Sequence, residues 1–245
     1  MFSSQLISRL KKTYQICLLT GHEMSIESGV PVIYRQAKIW NNFDISKLAT
    51  HQALNDNTNE FWKFYHSLRK AYTGIRPNLG HYSLVDMEQM FKKFYLITIN
   101  DDNLQRLAGN ERVAELYGNI YRSQCTKCEF NRYEELQNYN QTGIAKCPKC
   151  GNVLRPDVVL KDEMISQRTI DAVNQAAATS EVFISIGVSK TPKIIENLPF
   201  VAKANGAYLL EINSKETDLT PHTNEFVKGE SGKILPHLVT ALTDS

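Results

Sequence analysis

Cys125, Cys128, Cys147 and Cys150 fall in a C-x2-C-x18-C-x2-C pattern, and no other feature restricts the folding of this chain as strongly. Each pair sits on a tight turn, Cys125-Thr126-Lys127-Cys128 and Cys147-Pro148-Lys149-Cys150-Gly151, whose lysines offset part of the charge of four thiolates. The spacing lies in the range of a four-thiolate zinc site. Two disulfides are the alternative use of these residues. The first dozen residues, however, lack the apolar stretch of a secretory signal, and a chain kept in a reducing cytosol is expected to hold thiols and metal. Four protein ligands leave no position for water, so the expected zinc is structural.

Around this clasp the chain alternates apolar runs with helical spacing. Ile16-Cys17-Leu18-Leu19, Phe94-Tyr95-Leu96-Ile97-Thr98, Val182-Phe183-Ile184-Ser185-Ile186-Gly187 and Tyr208 to Asn213 read as short strands, the third continuous enough to be buried on both faces. Leu6, Ile7 and Leu10 predict a first helix. Arg76-Pro77-Asn78 opens another that carries His81, Leu84 and Met87, and Ser166 to Thr179 is a third, with Ile170, Val173, Ala176 and Ala177 on one side. Thr191-Pro192 suits the N-cap and first turn of a fourth. This βαβα rhythm predicts an α/β fold, a parallel sheet with helices on both faces. Between Gln36 and Lys70 the composition turns polar with interspersed aromatics. Phe61, Phe64, Tyr65 and Leu68 mark one face of a helix there, read as core packing within a helical insertion.

With 245 residues, 42% hydrophobic and 22% charged, the chain is long enough for one large domain or a large and a small one. A net charge of +2 is too mild to argue for nucleic acid, and no apolar segment approaches the roughly 20 residues of a membrane span.

The first strand runs into Thr20-Gly21-His22-Glu23-Met24-Ser25-Ile26-Glu27-Ser28-Gly29-Val30-Pro31. A strand, a glycine and a helix start in that order can present backbone N–H groups to a phosphate. The stretch resembles the cofactor loop of the sirtuin family, Thr-Gly-Ala-Gly-Ile-Ser-x-x-Ser-Gly-Ile-Pro-x-Phe-Arg. Thr20, Gly21, Ser25, Ser28, Gly29 and Pro31 match in place, whereas His22 and Glu23 replace Ala-Gly, and Ile33 and Tyr34 stand at Phe-Arg with Arg35 one place late. Further matches follow in the family's order. Thr98-Ile99-Asn100-Asp101-Asp102 resembles Thr-Gln-Asn-Ile-Asp, Glu115-Leu116-Tyr117-Gly118 resembles Glu-Leu-His-Gly, and Arg155-Pro156-Asp157-Val158-Val159 resembles Arg-Pro-x-Val-Val. Lys161-Asp162 stands at the family's Phe-Gly, Gly187-Val188-Ser189 at Gly-Thr-Ser, and Glu211-Ile212-Asn213-Ser214 at Glu-Ile-Asn-Pro.

The resemblance implies a Rossmann-like large domain of residues 1–35, 77–123 and 154–245, with a small domain formed by the helical insertion 36–76 and the zinc module 124–153. It implies NAD as cofactor, with Gly21, Ser25, Asn100, Asp102, Gly187, Ser189 and Asn213 as binding residues and an acyl-lysine peptide or protein as substrate. Asn100 and Tyr117 take the family's catalytic positions, Tyr117 standing where the family has its histidine base. A phenol titrating near pH 10 is a poor base at neutral pH, so deacylation is expected to be weak or lost. Two readings stay open beside that one: an active deacylase, ADP-ribosyltransferase or NAD hydrolase with non-standard residues, and a non-enzymatic peptide- or partner-binding module. Glu23 points either into the pyrophosphate position or out to solvent. His22 is read as a solvated loop residue over a relocated base, and Asp101 and Asp102, on opposite faces of the chain, need not share a site. A cytoplasmic location is expected.

Overall fold

The computed structural model describes residues 2–31, 39–134, 139–189 and 193–244. Helix α1 (Ser4–Lys12) is capped by the Ser3 hydroxyl, which accepts from Leu6 N, and buries Leu6 and Leu10. Strand β1 (Gln15–Thr20) is buried along its whole length, as its unbroken apolar run requires, and short helix α2 (His22–Ile26) starts directly after Gly21. A hairpin of β2 (Ile39–Trp40) and β3 (Phe43–Asp44) turns on Asn41 and Asn42, both left-handed. Helices α3 (Ile45–Leu48), α4 (His51–Asp56) and α5 (Thr58–Ala71) complete the insertion, and Phe61, Phe64, Tyr65 and Leu68 are all buried on α5. Helix α6 (Leu79–Met90) begins behind Asn78, whose side chain accepts from Gly80 N and His81 N.

Next come β4 (Lys93–Thr98), α7 (Leu104–Ala108), β5 (Val113–Glu115), β6 (Gly118–Cys125), β7 (Asn131–Tyr133) and β8 (Leu154–Val158). The chain closes with α8 (Gln167–Ala178), β9 (Val182–Ile186), α9 (Leu198–Ala204), β10 (Tyr208–Asn213), β11 (Glu225–Lys228) and α10 (Ser231–Thr243). The expectations for Ile33 to Arg35 and for Thr191-Pro192 lie outside the described residues. No described helix is long and apolar enough to cross a membrane.

Six strands form one parallel sheet in the order β11-β10-β9-β1-β4-β5. Its two edges, β11 and β5, are its shortest strands, with 4 and 3 residues. Successive residues of β1 face opposite sides. Ile16 and Leu18 join Leu6, Leu10, Leu84, Met87, Leu235 and Leu238 under α1, α6 and α10, while Cys17 and Leu19 join Ile170, Val173, Leu198 and Ala202 under α8 and α9. Burial on both faces explains why these strands read as continuous apolar runs.

A separate antiparallel sheet, β7-β6-β8, carries the cysteines at its tip. It shares one apolar cluster with the insertion, where Phe61, Trp62 and Leu68 meet Ile120, Cys147, Leu154 and Val158. Arg69 of α5, fully buried, joins the two parts: it donates to Ile120 O (2.9 Å), Arg122 O (3.0 Å) and Ser123 Oγ (2.9 Å), and lies 3.7 Å from the Glu134 carboxylate. Gly118 opens β6 at φ +80°, with Asp157 O about where a Cβ would stand.

Candidate functional site

Strand order reverses between β1 and β9, because the chain runs outward through β4 and β5 before returning to lay β9 against β1. In open α/β sheets, the crevice outside the carboxyl ends at such a switch point is where ligands bind. Two loops form its walls. Gly21 N donates to Ile186 O (2.9 Å) and Glu23 N to Gly187 O (3.1 Å), bringing the turns after β1 and β9 into contact. A Cβ on Gly21 would stand 2.5 Å from Gly187 O, and Gly187 itself holds φ +61°, so glycine is needed on both sides.

Behind Gly21 lies a buried polar network. Asn100 Nδ2 donates to Gly21 O (2.9 Å) and Ser25 Oγ (2.7 Å), the Ser25 hydroxyl donates to Asp102, and Asp102 also accepts from Leu104 N (2.9 Å). Burial pushes the Asp102 carboxyl up to about 6 against the pull of these two donors, with the charges of Asp101 and Glu115 adding to the rise. Asn100 Oδ1 is buried with no partner, an acceptor-only atom left at the wall of the crevice. Asp101 is less buried than Asp102 and accepts from the Tyr72 hydroxyl at 3.4 Å, whereas Asp102 turns to Ser25 and Leu104. The two carboxylates therefore serve different partners.

Glu23 reaches across the crevice. Its carboxylate accepts from the Ser189 hydroxyl, in the loop after β9, and from Ser214 Oγ (2.7 Å), in the loop after β10, with Lys215 Nζ at 3.7 Å. Only 18% of the side chain is exposed. Burial alone would raise its pKa, but the Ser189 and Ser214 donors and the Lys215 ammonium outweigh it and hold the carboxyl below its ordinary range. Of the two orientations left open by the sequence, the side chain takes the inward one. Asn213 is buried beside it, donating to Val188 O (3.3 Å) and accepting from Ser214 N (2.9 Å).

Gly21, Ser25, Asn100, Asp102, Gly187, Ser189 and Asn213 thus converge on one crevice. Tyr117 is 8% exposed and belongs to the apolar cluster that includes Ile97, Ile99, Leu116 and Ile165. Lys161-Asp162 is tied to the insertion: Lys161 N donates to Ala49 O (2.8 Å), and the Asp162 carboxylate accepts from His51 N (2.7 Å) and Gln52 N (3.2 Å) at the start of α4. Lys215 and Tyr72 carried no motif in the sequence.

The four cysteine sulfurs lie within 4.8 Å of one another, with Cys125 and Cys150 3.4 Å apart and Cys128 and Cys147 3.7 Å apart. A tetrahedral zinc with Zn–S near 2.3 Å requires S···S of about 3.8 Å, so the residues present fit the ion. None of the four is in a disulfide. Asn152 donates to Cys150 Sγ (3.4 Å), a hydrogen bond that favours the thiolate form of this cysteine.

A doubly wound parallel sheet with a glycine-walled crevice at its switch point, joined to an antiparallel module whose four cysteines could hold a metal ion, defines a Rossmann-like protein with a small accessory unit. The chain belongs to the Sir2 family, whose model it matches over residues 21–192. It is 35% identical over 225 residues to an NAD-dependent protein deacylase of Thermococcus sibiricus, covering 90% of this chain and 88% of that one. To a protein of the same name from Aquifex aeolicus it is 38% identical over 205 residues, with 84% and 85% covered. A solved Sir2 homologue in complex with NAD superposes with a TM-score of 0.87 at 28% identity, covering 99% and 94% of the two chains. A mutant Sir2 homologue in complex with 2′-O-acetyl-ADP-ribose gives a TM-score of 0.85 at 29% identity, with 100% and 99% covered.

Against that background the crevice divides. At one end Asn100 Oδ1 is buried without a partner, and at the other the Ser189 and Ser214 hydroxyls are already engaged by the Glu23 carboxylate, so in this arrangement an anionic group would meet a like charge there.

Proposed function

We propose that this chain is a Sir2-family zinc protein related to NAD-dependent protein-lysine deacetylases, in which NAD-dependent deacylation is weak or lost and the protein acts by binding an acyl-lysine peptide or a protein partner. The observation that carries this reading is Tyr117. At the position of the family's histidine it places a phenol packed among Ile97, Ile99, Leu116 and Ile165. Such a group accepts a proton poorly at neutral pH, and loss of a general base costs on the order of 10²- to 10⁴-fold in rate. The zinc of Cys125, Cys128, Cys147 and Cys150 supports the antiparallel module and supplies no chemistry to the crevice. Residues 36–76 and 124–153 make the small domain in this reading, and a reduced four-thiolate site suits the cytosol.

Incubating zinc-loaded protein with acetyl-lysine peptides and NAD is expected to release nicotinamide at the level of the blank, while the same peptides are retained on the immobilised protein without NAD. NAD-dependent deacetylation that disappears in Asn100→Ala overturns the proposal.

A second reading, an active deacylase, ADP-ribosyltransferase or NAD hydrolase using non-standard residues, draws on the intact Ser25–Asn100–Asp102 network and the unpartnered Asn100 Oδ1. Nicotinamide release from NAD that depends on Asn100 is its mark.

A further inference from the structure

Glu23 in helix α2 and Glu27 just past its end are two acids four residues apart, and both are anchored. Glu27 accepts from Ser231 N (2.7 Å), Ser231 Oγ (2.9 Å) and Gly232 N (2.7 Å), which makes it the cap of α10. Glu23 caps nothing on its own helix. Its partners all belong to the opposite loops: the Ser189 hydroxyl, the Ser214 hydroxyl and backbone, and the Lys215 ammonium. Two hydroxyl donors and one cation around a single anion, at the carboxyl ends of β9 and β10, is the donor set that a phosphate oxygen would recruit.

We propose that Glu23 is a built-in anion filling the phosphate position of this protein's own crevice, so that a nucleoside diphosphate binds only when the Glu23 side chain leaves. The inference rests on reading the β1/β9 crevice as the nucleotide site. Ser189, Ser214 and Lys215 are committed to the chain's own carboxylate, and an incoming diphosphate must either take those donors from it or sit beside a like charge. At about 4 Å and an effective dielectric near 20, the second course weakens binding by roughly a hundred- to a thousandfold. Because the carboxylate also ties α2 to the loops after β9 and β10, it does for the empty crevice what a ligand would otherwise do: it holds the three loops together.

Calorimetry and thermal unfolding of the zinc-loaded full chain with ADP-ribose test this directly. Wild type is expected to show no binding at about millimolar ADP-ribose. Glu23→Ala is expected to gain at least about a hundredfold in affinity, to melt earlier than wild type without ligand, and to recover that loss when ADP-ribose is added. Glu23→Gln, which keeps the length of the side chain and removes its charge, is expected to gain less, and Ser214→Ala, which removes one anchor and no bulk from the crevice, less again. These two variants carry the test if the alanine does not fold. Micromolar binding to wild type overturns the proposal, and so does a folded Glu23→Ala or Glu23→Gln that gains nothing. Turnover is read only in the separate deacetylation assay with NAD and acetyl-lysine peptide. Wild type that binds ADP-ribose without deacetylating peptide removes this inference and leaves the reading built on Tyr117, whereas Glu23→Ala that binds and does not turn over supports both.

Discussion

Asp102 keeps its proton to about pH 6 in the folded chain, while the unfolded carboxyl releases it near 3.8. Between those values the native state holds a proton that the unfolded state has lost, so the contribution of this residue to stability falls as pH rises across the window and is constant above it. Asparagine keeps the acceptor for Leu104 N and has no charge to bury. The stability of Asp102→Asn relative to wild type is therefore expected to rise by up to about 3 kcal/mol across that window, and urea denaturation of the two proteins at a series of pH values checks it. Parallel curves would assign the Asp102 carboxyl an ordinary titration. At this scale the sequence showed which residues matter more readily than what they do. Glu23 stood out as an acid in a glycine loop, but its orientation depends on Ser189 and Ser214, which lie 166 and 191 positions away in the chain. No local pattern carries that information. Asp101 and Asp102 do have separate partners, but strand alternation is not the cause, because β4 ends at Thr98 and both lie in the turn beyond it.

Among the elements, α5 was legible by its period and illegible at one position. Phe61, Phe64, Tyr65 and Leu68 announce a buried face, and Trp62 and Arg69 are buried with them, the arginine at 0% exposure. A spacing argument counts apolar residues, so it passes over a guanidinium whose burial is permitted by carbonyls of another element. Arg69 satisfies Ile120 O, Arg122 O and Ser123 Oγ and faces Glu134. Arg69→Met removes those donors and leaves a buried carboxylate with less to offset it, with Arg132, Gln141 and the Ser123 hydroxyl the partners that remain beside Glu134 among the described residues. The expected loss is about 3–5 kcal/mol, measured by chemical denaturation. A loss within 1 kcal/mol would show that the insertion and the β7-β6-β8 sheet are held by their shared apolar cluster alone. The Leu154–Val158 segment was recognisable as extended from its motif, whereas its antiparallel pairing with β6 was not, because its partners Gly118 to Cys125 lie some 30 to 40 positions earlier in the chain and no local pattern links the two.

For the whole molecule, the parallel sheet was readable because burial on both faces forces long apolar runs, and the cysteine cluster was readable because four cysteines at that spacing have few uses, whereas the small antiparallel sheet that carries it was not read from the sequence. The parts are stabilised by different means. The six-stranded sheet rests on two apolar layers, whereas β6, β7 and β8 have one shared cluster and the thiolate clasp. Removing zinc with a chelator is accordingly expected to release amide protection in residues 118–133 and 145–158 first, with β1, β4, β9 and β10 still protected, as followed by hydrogen exchange. Simultaneous loss in both sheets would mean that the clasp supports the whole chain. The outer rim of the large sheet has a consequence of its own. Unpaired strand flanks invite a neighbouring chain to extend the ladder, yet here the β5 flank is three residues long, and Arg106 already donates to the carbonyl of Val113 and pairs with Glu115. A foreign strand meeting that flank finds a short, charged and partly satisfied backbone, which disfavours ladder extension from this side.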